Sequence, residues 1–554
     1  MILRVITRMK RLAGAIAFVV LLAALGGASP AVAAAPWWHL ALEGRPANVQ
    51  PGAGKDAVQE VTVSATGGTF ALNSLEVYRE NEEGNHREEF AFDASAQEVR
   101  EGLERIFGAG TVEVTGGPGD ATGSKPYEIR FIGSRGDQPV ELLLTSNFLE
   151  GGKEEANATM ITEGRSDGEI VVASSNLGDE SVHGELTPVA ITDKLPAGLT
   201  PIKVEAFRGQ KHDSVPCVQP AGPCTWDGAV APYDAIEMVI FVKATAGLGS
   251  SQIIEADVSG GGAPDVALRR PVNISDTPTS FGVESYELKA EDDGGALDMQ
   301  AGSHPFQLTS TFALNQEPDT QHPPALAKDL AFQLPPGLVG NPTSFPQCTD
   351  AQFEKEANGH NECPPDTVLG VSATKIGVNI FSPEVTTYVV PVFNLKPSVG
   401  EPARFAFSII GNHVFLDTSV RTGGDYGVTV TVKNITQKAA LLASQVTFWG
   451  VPGDPRHDNA RGWSCVDNGR WRDEQVPACA PLGAISPPPL LSLPTSCTGA
   501  MQSSVQADSW LEKGVFGSFP RASRCKPWMV AIACRSVRRS RWPRTVRRGA
   551  PQRG

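Results

Sequence analysis

Apolar and polar residues alternate along many short segments of this chain. One such segment places Ile236, Met238, Ile240 and Val242 at every second position. A period of two is the spacing of a β-strand that buries one face, so we predict half-buried strands wherever it occurs. Turn signals rich in glycine, proline and asparagine separate these segments at intervals typical of a β-sandwich. The pattern therefore predicts a mainly β fold.

One segment has a helical pattern instead. Four apolar residues recur at the spacing of one helix face: Val99, Leu103, Ile106 and Phe107. Ser95 and Glu98 precede them as a capping box, in which each side chain satisfies a free backbone N–H of the other residue. Gly108 follows as a helix stop. Strand-like segments lie on both sides, so residues 57–163 are predicted to form a small α+β module with the order ββ-α-βββ.

A short motif occurs twice along the chain. Leu195–Leu199 reads LPAGL and Leu334–Leu338 reads LPPGL, and a cysteine follows each copy. The repetition favours two related sandwiches in tandem.

Composition agrees with a turn-rich β protein, since the 554 residues include 57 glycines and 43 prolines. The formal net charge is -15. Residues 521–554 contain eleven Lys and Arg and no Asp or Glu, so the rest of the chain is more acidic still. An acidic surface repels phosphate backbones, which argues against nucleic-acid binding by the main body.

The Arg-rich tail, residues 521–554, has two interpretations. It is either a basic arm for an anionic polymer such as a cell-wall glycan or nucleic acid, or a translation-frame artefact in a high-GC gene. The artefact is favoured because the tail has no periodicity and little lysine.

The first 33 residues have the three parts of a secretory signal peptide. Four basic residues come first, namely Arg4, Arg8, Lys10 and Arg11. An apolar run over Leu12–Leu25 and the small residues Ala31 and Ala33 follow. An uncleaved anchor is the rival interpretation, but the run is shorter than the roughly 20 residues that a bilayer span needs. The sequence predicts an extracellular or cell-surface protein whose mature chain has no transmembrane helix.

Export decides how the nine cysteines are interpreted, because an oxidising compartment permits disulfides. Cys217 with Cys224, and Cys348 with Cys363, are close enough in sequence to join local loops. Cys465 and Cys479 are further candidates, and Cys497 leaves their pairing open. A metal site is the weaker alternative, since neither a CxxC pair nor a Cys/His cluster at zinc spacing occurs in the sequence.

Two stretches carry a family resemblance. Gly168–Gly178 reads GEIVVASSNLG and Val189–Leu199 reads VAITDKLPAGL. These stretches resemble the DUF11-like conserved repeat of exported actinobacterial surface proteins, which implies immunoglobulin-like sandwiches. Residues 57–163, with ASAQEV at Ala94–Val99 and VEVTGGPG at Val112–Gly119, are similar to another secreted repeat that interrupts the first sandwich. The resemblance supplies no catalytic residues.

The expected fold is therefore tandem Ig-like β-sandwich domains with one small inserted α+β module. Its parts are a signal peptide (1–33), a first strand of sandwich 1 (34–56), the inserted module (57–163), the remainder of sandwich 1 (164–276), a larger β-sandwich domain 2 (280–460), a Cys/Pro-rich extension (461–520) and the Arg-rich tail (521–554).

Candidate ligand sites are few, and we assign no catalytic, cofactor or metal residue. Loop carboxylates could hold Ca²⁺, although solvated charge is the favoured interpretation: Glu291, Asp292, Asp293, Asp298, Asp454 and Asp458. Arg135-Gly136-Asp137 spells an adhesion tripeptide, for which chance is a sufficient explanation.

The leading functional hypothesis is a structural or adhesive surface protein without catalysis. Its partners are unknown, and the candidates are cell-wall glycan and other surface proteins. The alternative is a carbohydrate- or cell-wall-binding protein that uses Trp37, Trp38, Trp449 or Trp463 as a stacking platform. A secreted hydrolase ranks third, because no catalytic motif occurs in the sequence.

Overall fold

The computed structural model describes residues 34–80, 84–209, 213–317, 322–357, 360–377, 385–466, 488–496 and 501–519. The predicted signal peptide, Cys479, Cys497 and the Arg-rich tail lie outside these residues. Within them the chain is mainly β, with several sheets packed as sandwiches, which confirms the predicted fold class.

The first sandwich begins with β1 (Trp38–Arg45) and β2 (Asn48–Val49). The chain leaves this sandwich and later returns beside its own point of exit, because Lys55 and Arg165 form an antiparallel bridge. Each backbone N–H of this pair donates to the other residue's carbonyl at 2.9 Å. The intervening segment is therefore inserted at a turn whose two ends adjoin.

The inserted unit contains seven strands, two helices and a 3₁₀ turn among the described residues. The strands are β3 (Val58–Ser64), β4 (Gly67–Asn73), β5 (Arg87–Ala91), β6 (Val112–Gly116), β7 (Tyr127–Phe131), β8 (Leu144–Glu150) and β9 (Glu155–Thr162); the helices are α1 (Leu75–Glu80) and α2 (Ala96–Phe107), and the 3₁₀ turn is Gly133–Arg135. The sheets run β6-β7-β3-β9 and β5-β4-β8. Ser95 and Glu98 form the predicted capping box of α2.

The order of elements in this unit differs from the predicted ββ-α-βββ. Three strands and α1 precede α2, and four strands follow it. The two final strands bury little: Leu149 is the buried residue of β8 and Ala156 that of β9. Strands with so few buried residues lack the apolar alternation that would reveal them in a sequence.

The first sandwich resumes with ten strands. They are β10 (Gly168–Asn176), β11 (Val182–His183), β12 (Val189–Lys194), β13 (Leu199–Arg208), β14 (Asp213–Ser214), β15 (Cys224–Trp226), β16 (Ala229–Val230), β17 (Ala235–Ala244), β18 (Ser251–Ser259) and β19 (Val266–Ile274). One sheet runs β1-β10-β17-β13-β14 and the other β15-β12-β18-β19-β2. Ile170, Val172 and Ile240 lie fully buried in the core that the two sheets share.

The second domain contributes fifteen strands to the described residues. They are β20 (Val283–Glu291), β21 (Gln307–Leu314), β22 (Ala327–Gln333), β23 (Val339–Gly340), β24 (Glu356–Ala357), β25 (His360–Asn361), β26 (Val368–Gly377), β27 (Val385–Leu395), β28 (Arg404–Ile409), β29 (Asn412–Val420), β30 (Val428–Val432), β31 (Ala440–Trp449), β32 (Leu491–Ser492), β33 (Ser504–Ser509) and β34 (Gly517–Phe519). Short helices are α3 (Asp350–Glu354) and α4 (Trp463–Val466), with 3₁₀ turns at Pro342–Ser344, Pro365–Thr367 and Pro455–Ala460.

Eleven of these strands form one sheet, in the order β20-β21-β31-β26-β27-β28-β29-β30-β22-β33-β34. The sheet rolls up so that its two edges meet, since β20 contacts both β33 and β34. A hydrogen bond joins Tyr286 on β20 to Ser503, just before β33, with 2.5 Å between the two hydroxyl oxygens. One apolar interior is thereby shared by strands from all parts of the sheet.

The structure places the last strands in this domain rather than in the separate extension that the sequence predicted for 461–520. Strand β33 pairs along β22, and β34 pairs with β33. Val505 and Ala507 of β33 are buried in the same interior as the rest of the sheet. With only Val505 and Ala507 as apolar residues, this short strand carries too weak an alternation to be predicted from the sequence.

Candidate functional site

The outer face of one sheet of the first sandwich lies against the outer face of the rolled sheet. Strands β1, β10, β17 and β13 supply one side, and β21, β31, β26 and β27 supply the other. Between them lies a polar cavity of about 330 Å³. Both faces of β10 and β26 are buried as a result, which explains why nearly every residue of these strands is shielded from solvent.

An ion network crosses this interface. Glu237 on β17 accepts from Arg45 on β1 at 2.8 Å and from Lys375 on β26. Arg45 also lies 3.5 Å from Glu169. Burial by itself would raise the pKa of Glu237, but Lys375 and Arg45 outweigh it and lower that pKa to about 2. Glu237 is therefore a carboxylate at the interface, held by one cation from each domain.

A second set of contacts joins the two domains through aromatic side chains. Tyr233 of the first sandwich accepts a hydrogen bond from Trp449 Nε1 at 2.9 Å. Trp37 packs edge-on against Phe306, with ring centroids 5.8 Å apart. These residues share one buried cluster, so the domains meet through apolar contacts as well as charges.

The inserted unit is attached to the first sandwich by charge. Lys203 on β13 lies 2.6 Å from Glu76 of α1, and both side chains are 5% exposed. Arg135 lies 2.9 Å from the same Glu76. Asp137 pairs with Lys243 on β17 at 2.8 Å. Both charged residues of the Arg135-Gly136-Asp137 tripeptide are thus held in ion pairs with other residues of this chain.

The predicted cysteine pairs are close in space. Cys217 is bonded to Cys224, and Cys348 to Cys363. Cys465 is also disulfide-bonded, and Cys479 lies outside the described residues.

The loop carboxylates considered for Ca²⁺ serve local structure. Asp292 accepts from the N–H groups of its own loop, and Asp298 accepts from Ser303 Oγ at 2.6 Å. Asp454 pairs with Arg456 and Asp458 with Arg461, while Asp293 lies 3.5 Å from Arg456. Glu291 is buried, with Gln307 and Thr309 as hydrogen-bond donors. The described part of the chain holds no group of three or more His, Cys, Asp or Glu arranged for a metal ion.

The proposed tryptophan platform is wrong. Trp37, Trp38 and Trp449 are buried, at 3%, 4% and 0% exposure. Trp463 is half-buried and stacks on His360, with centroids 4.8 Å apart. Rings that pack inside domains have no face left for a sugar, and core packing is the common fate of tryptophan.

Sequence reasoning missed the interface residues Arg45, Glu237 and Lys375. A signal for them does exist, because each is a charged residue inside or at the end of a strongly apolar strand, as in AIEMVIFV on β17. Such a charge is expensive to bury unless it is paired, so it indicates a partner across a second buried face.

No helix in the described ranges is long and apolar enough to cross a membrane.

Comparisons with known proteins find little. No known family matches the sequence, and no curated protein matches it. Among solved structures, the C-terminal domain of the Streptococcus agalactiae AgI/II polypeptide BspA matches 63% of this chain and 90% of its own, at 8% identity and a TM-score of 0.15. The C-terminal domain of the Streptococcus pyogenes antigen I/II-family protein AspA matches 62% and 88%, at 6% identity and a TM-score of 0.16.

A putative membrane anchored protein from Corynebacterium diphtheriae matches 84% of this chain and 86% of its own, at 10% identity and a TM-score of 0.15. Scores this low mean that the chains do not superpose as wholes. These neighbours therefore add nothing to the argument about function.

Proposed function

We propose that this chain is an exported structural or adhesive protein of a bacterial cell surface or its surroundings, with β-sandwich domains acting as rigid spacers and without catalysis. The observation that carries the proposal is the interlocked interface between the two domains. Its ion network and aromatic cluster fix the domains side by side, as a spacer requires and a flexible linker would not provide.

The inserted unit strengthens the same interpretation. Its two ends adjoin at Lys55 and Arg165, and Glu76 is held by Lys203 and Arg135. Three β-rich bodies are therefore joined by buried contacts. Loops at their free ends would carry any recognition, as is usual for such scaffolds.

The carbohydrate-binding alternative loses most of its aromatic basis, because three of its four tryptophans are buried and the half-buried Trp463 stacks on His360. The polar cavity between the domains is lined by groups that neutralise one another, Arg45 and Lys375 with Glu237. These ion pairs hold the two domains together and give the hydrolase alternative no specific support.

Location tests the proposal directly. Intact cells of the source organism are treated briefly with protease, and the released peptides are compared by mass spectrometry with those of the medium and the cytosol. We expect peptides of residues 34–519 in the surface fraction and a mature start near Ala34. Recovery of the protein from the cytosol with Met1 retained would contradict export. A strain that lacks the gene should then show altered adhesion or envelope integrity, and an unaltered strain would contradict the structural role.

A further inference from the structure

The interior of the rolled sheet contains two adjoining apolar cavities, of about 150 and 130 Å³. Leu308, Leu334, Val430 and Phe448 line both of them. The two cavities therefore adjoin inside the rolled sheet, with these four side chains at the place where they meet.

The lining is apolar throughout its length. Leu288 on β20, Phe407 on β28 and Leu416 on β29 face the first cavity from different parts of the rolled sheet. Its polar contribution comes from hydroxyl and amide side chains, and among the residues that the structure describes no charged side chain lines either cavity. Such a space does not hold water well, because water needs two or more polar partners.

Protein cores rarely leave voids of this size. Interiors are packed about as densely as organic crystals, and an empty cavity costs free energy in proportion to its volume. Several lining residues, among them Val414, Val430, Leu441 and Val446, are only half-buried although they lie in the core of the sheet. Apolar cavities of comparable size in proteins take up apolar ligands.

We take the segment that follows β30 as the mouth of the first cavity, and its charges indicate the charge of the ligand. Ile435, Thr436 and Ala439 reach the cavity from the segment that follows β30. The same segment carries Lys433 and Lys438, both exposed. The carboxylate of nearby Asp329 already pairs with Lys328 and accepts a hydrogen bond from the backbone N–H of Asn434. An anionic group at the mouth would therefore meet two lysines on an otherwise acidic protein.

From this geometry we propose that the second domain binds a single-chain anionic amphiphile, with its alkyl chain in the two joined cavities and its head group beside Lys433 and Lys438. A flexible alkyl chain could extend through both adjoining cavities, which a compact aromatic ring system could not do. The carboxylate of a fatty acid and the phosphate of a lysophospholipid share the required chemistry.

The test is calorimetric titration of the full mature chain with laurate below its micelle-forming concentration. We expect one molecule bound per chain. Over saturated fatty acids from six to fourteen carbons, affinity should rise about threefold or more per added methylene until the cavities are full, since each buried methylene contributes about the same free energy. No binding by wild type, or an affinity independent of chain length, would overturn the proposal.

Variants locate the site. Val430→Phe fills the junction of the two cavities and should weaken laurate at least tenfold. Val420→Phe, an exposed position on β29 outside both linings, is the matched control and should bind as wild type does. Laurate bound equally by Val430→Phe and wild type would place the ligand elsewhere and overturn the proposal. The chain-length series needs no variant, so it decides the matter even if Val430→Phe fails to fold.

The head group is tested separately. Lys433→Ala with Lys438→Ala should weaken laurate about tenfold at low salt and leave dodecanol unchanged. An equal loss of affinity for laurate and dodecanol, or no loss for either, would contradict the anionic part of the proposal. Lauroyl lysophosphatidylglycerol in parallel titrations distinguishes the sources: tighter binding than laurate indicates a phosphate head, and weaker binding indicates a free fatty acid.

Discussion

Asp193 on β12 shows how burial without a full counter-charge affects a single residue. Both oxygens of its carboxylate are buried. Burial raises its pKa to about 7, the backbone N–H of Lys194 opposes part of that rise, and the Asp257 carboxylate adds to it. By contrast, Glu237 lies deeper but has two cations, and its pKa falls to about 2. The charged partners, rather than the depth of burial, therefore decide whether the pKa of a buried carboxyl group rises or falls.

Asp193→Asn should therefore change how stability depends on pH. The folded-state pKa of Asp193 lies above the ordinary value of 3.8, so the carboxylate binds a proton in the folded protein as the pH falls from about 8 to 4. The free energy of unfolding of the wild type rises by up to about 4 kcal/mol over that range. The variant should lack that gain and be the more stable protein at pH 8. Urea unfolding between pH 4 and 8 measures this, with exposed Asp265→Asn as control. Parallel profiles for wild type and Asp193→Asn would contradict the prediction.

At the scale of elements, the sequence predicts what carries a periodic signal. Helix α2 has its capping box at Ser95 and its apolar face, and β17 has its alternation; both occur where the pattern predicts them. The predicted order has one strand too few on each side of α2 and lacks α1, and β5, β8 and β9 each bury only one residue. Strand β33 was missed because it is short and its buried apolar residues are only Val505 and Ala507. Periodicity reports burial, so elements that bury little are not visible to it.

Gly102 in the middle of α2 depends on packing that no pattern shows. Alanine is intrinsically better in a helix by about 1 kcal/mol, but a Cβ at this position would lie 2.3 Å from the ring of Phe90. Gly102→Ala should therefore destabilise the inserted unit by about 1–3 kcal/mol, measured by thermal unfolding with hydrogen exchange of α2 as the local readout. Exposed Arg100→Ala controls for helix propensity. A Phe90→Leu background should relieve the cost, and a stabilising Gly102→Ala would refute the steric argument.

At the scale of the whole molecule, the contact between domains depends on pairs of residues far apart in sequence. Arg45 and Glu237 are separated by 192 positions, and Glu237 and Lys375 by 138. The charged residues were visible in apolar strands, but their pairing was not, because one sequence contains no information on which buried face meets which. The same reason explains the tryptophans, whose burial at Trp37 and Trp449 comes from the packing of one domain on the other.

We expect substitutions of Glu237 and Lys375 to differ in how much they lower the free energy of unfolding. Glu237→Ala leaves the buried cations Arg45 and Lys375 without the carboxylate they share, and should cost about 3–5 kcal/mol. Lys375→Met leaves Glu237 paired with Arg45 at 2.8 Å and replaces a buried ammonium by an apolar chain of similar length, so its cost should stay within about 1 kcal/mol.

Calorimetry of the full chain separates these outcomes, because a shared interface couples the two domains. Wild type should unfold the first sandwich and the rolled sheet in one transition, whereas Glu237→Ala, which leaves Lys375 of the rolled sheet unpaired at the interface, should split them into two. The control is Lys243→Met, which removes a surface pair with Asp137 whose side chains are 54% and 36% exposed, and it should leave the transition single. If Lys375→Met costs as much as Glu237→Ala, the predicted asymmetry is wrong. If Glu237→Ala also unfolds in one transition, the ion network does not hold the domains together. The rigid-spacer proposal would then rest on the Tyr233–Trp449 cluster and on other pairs between the domains, such as Arg270 with Glu284 at 3.0 Å.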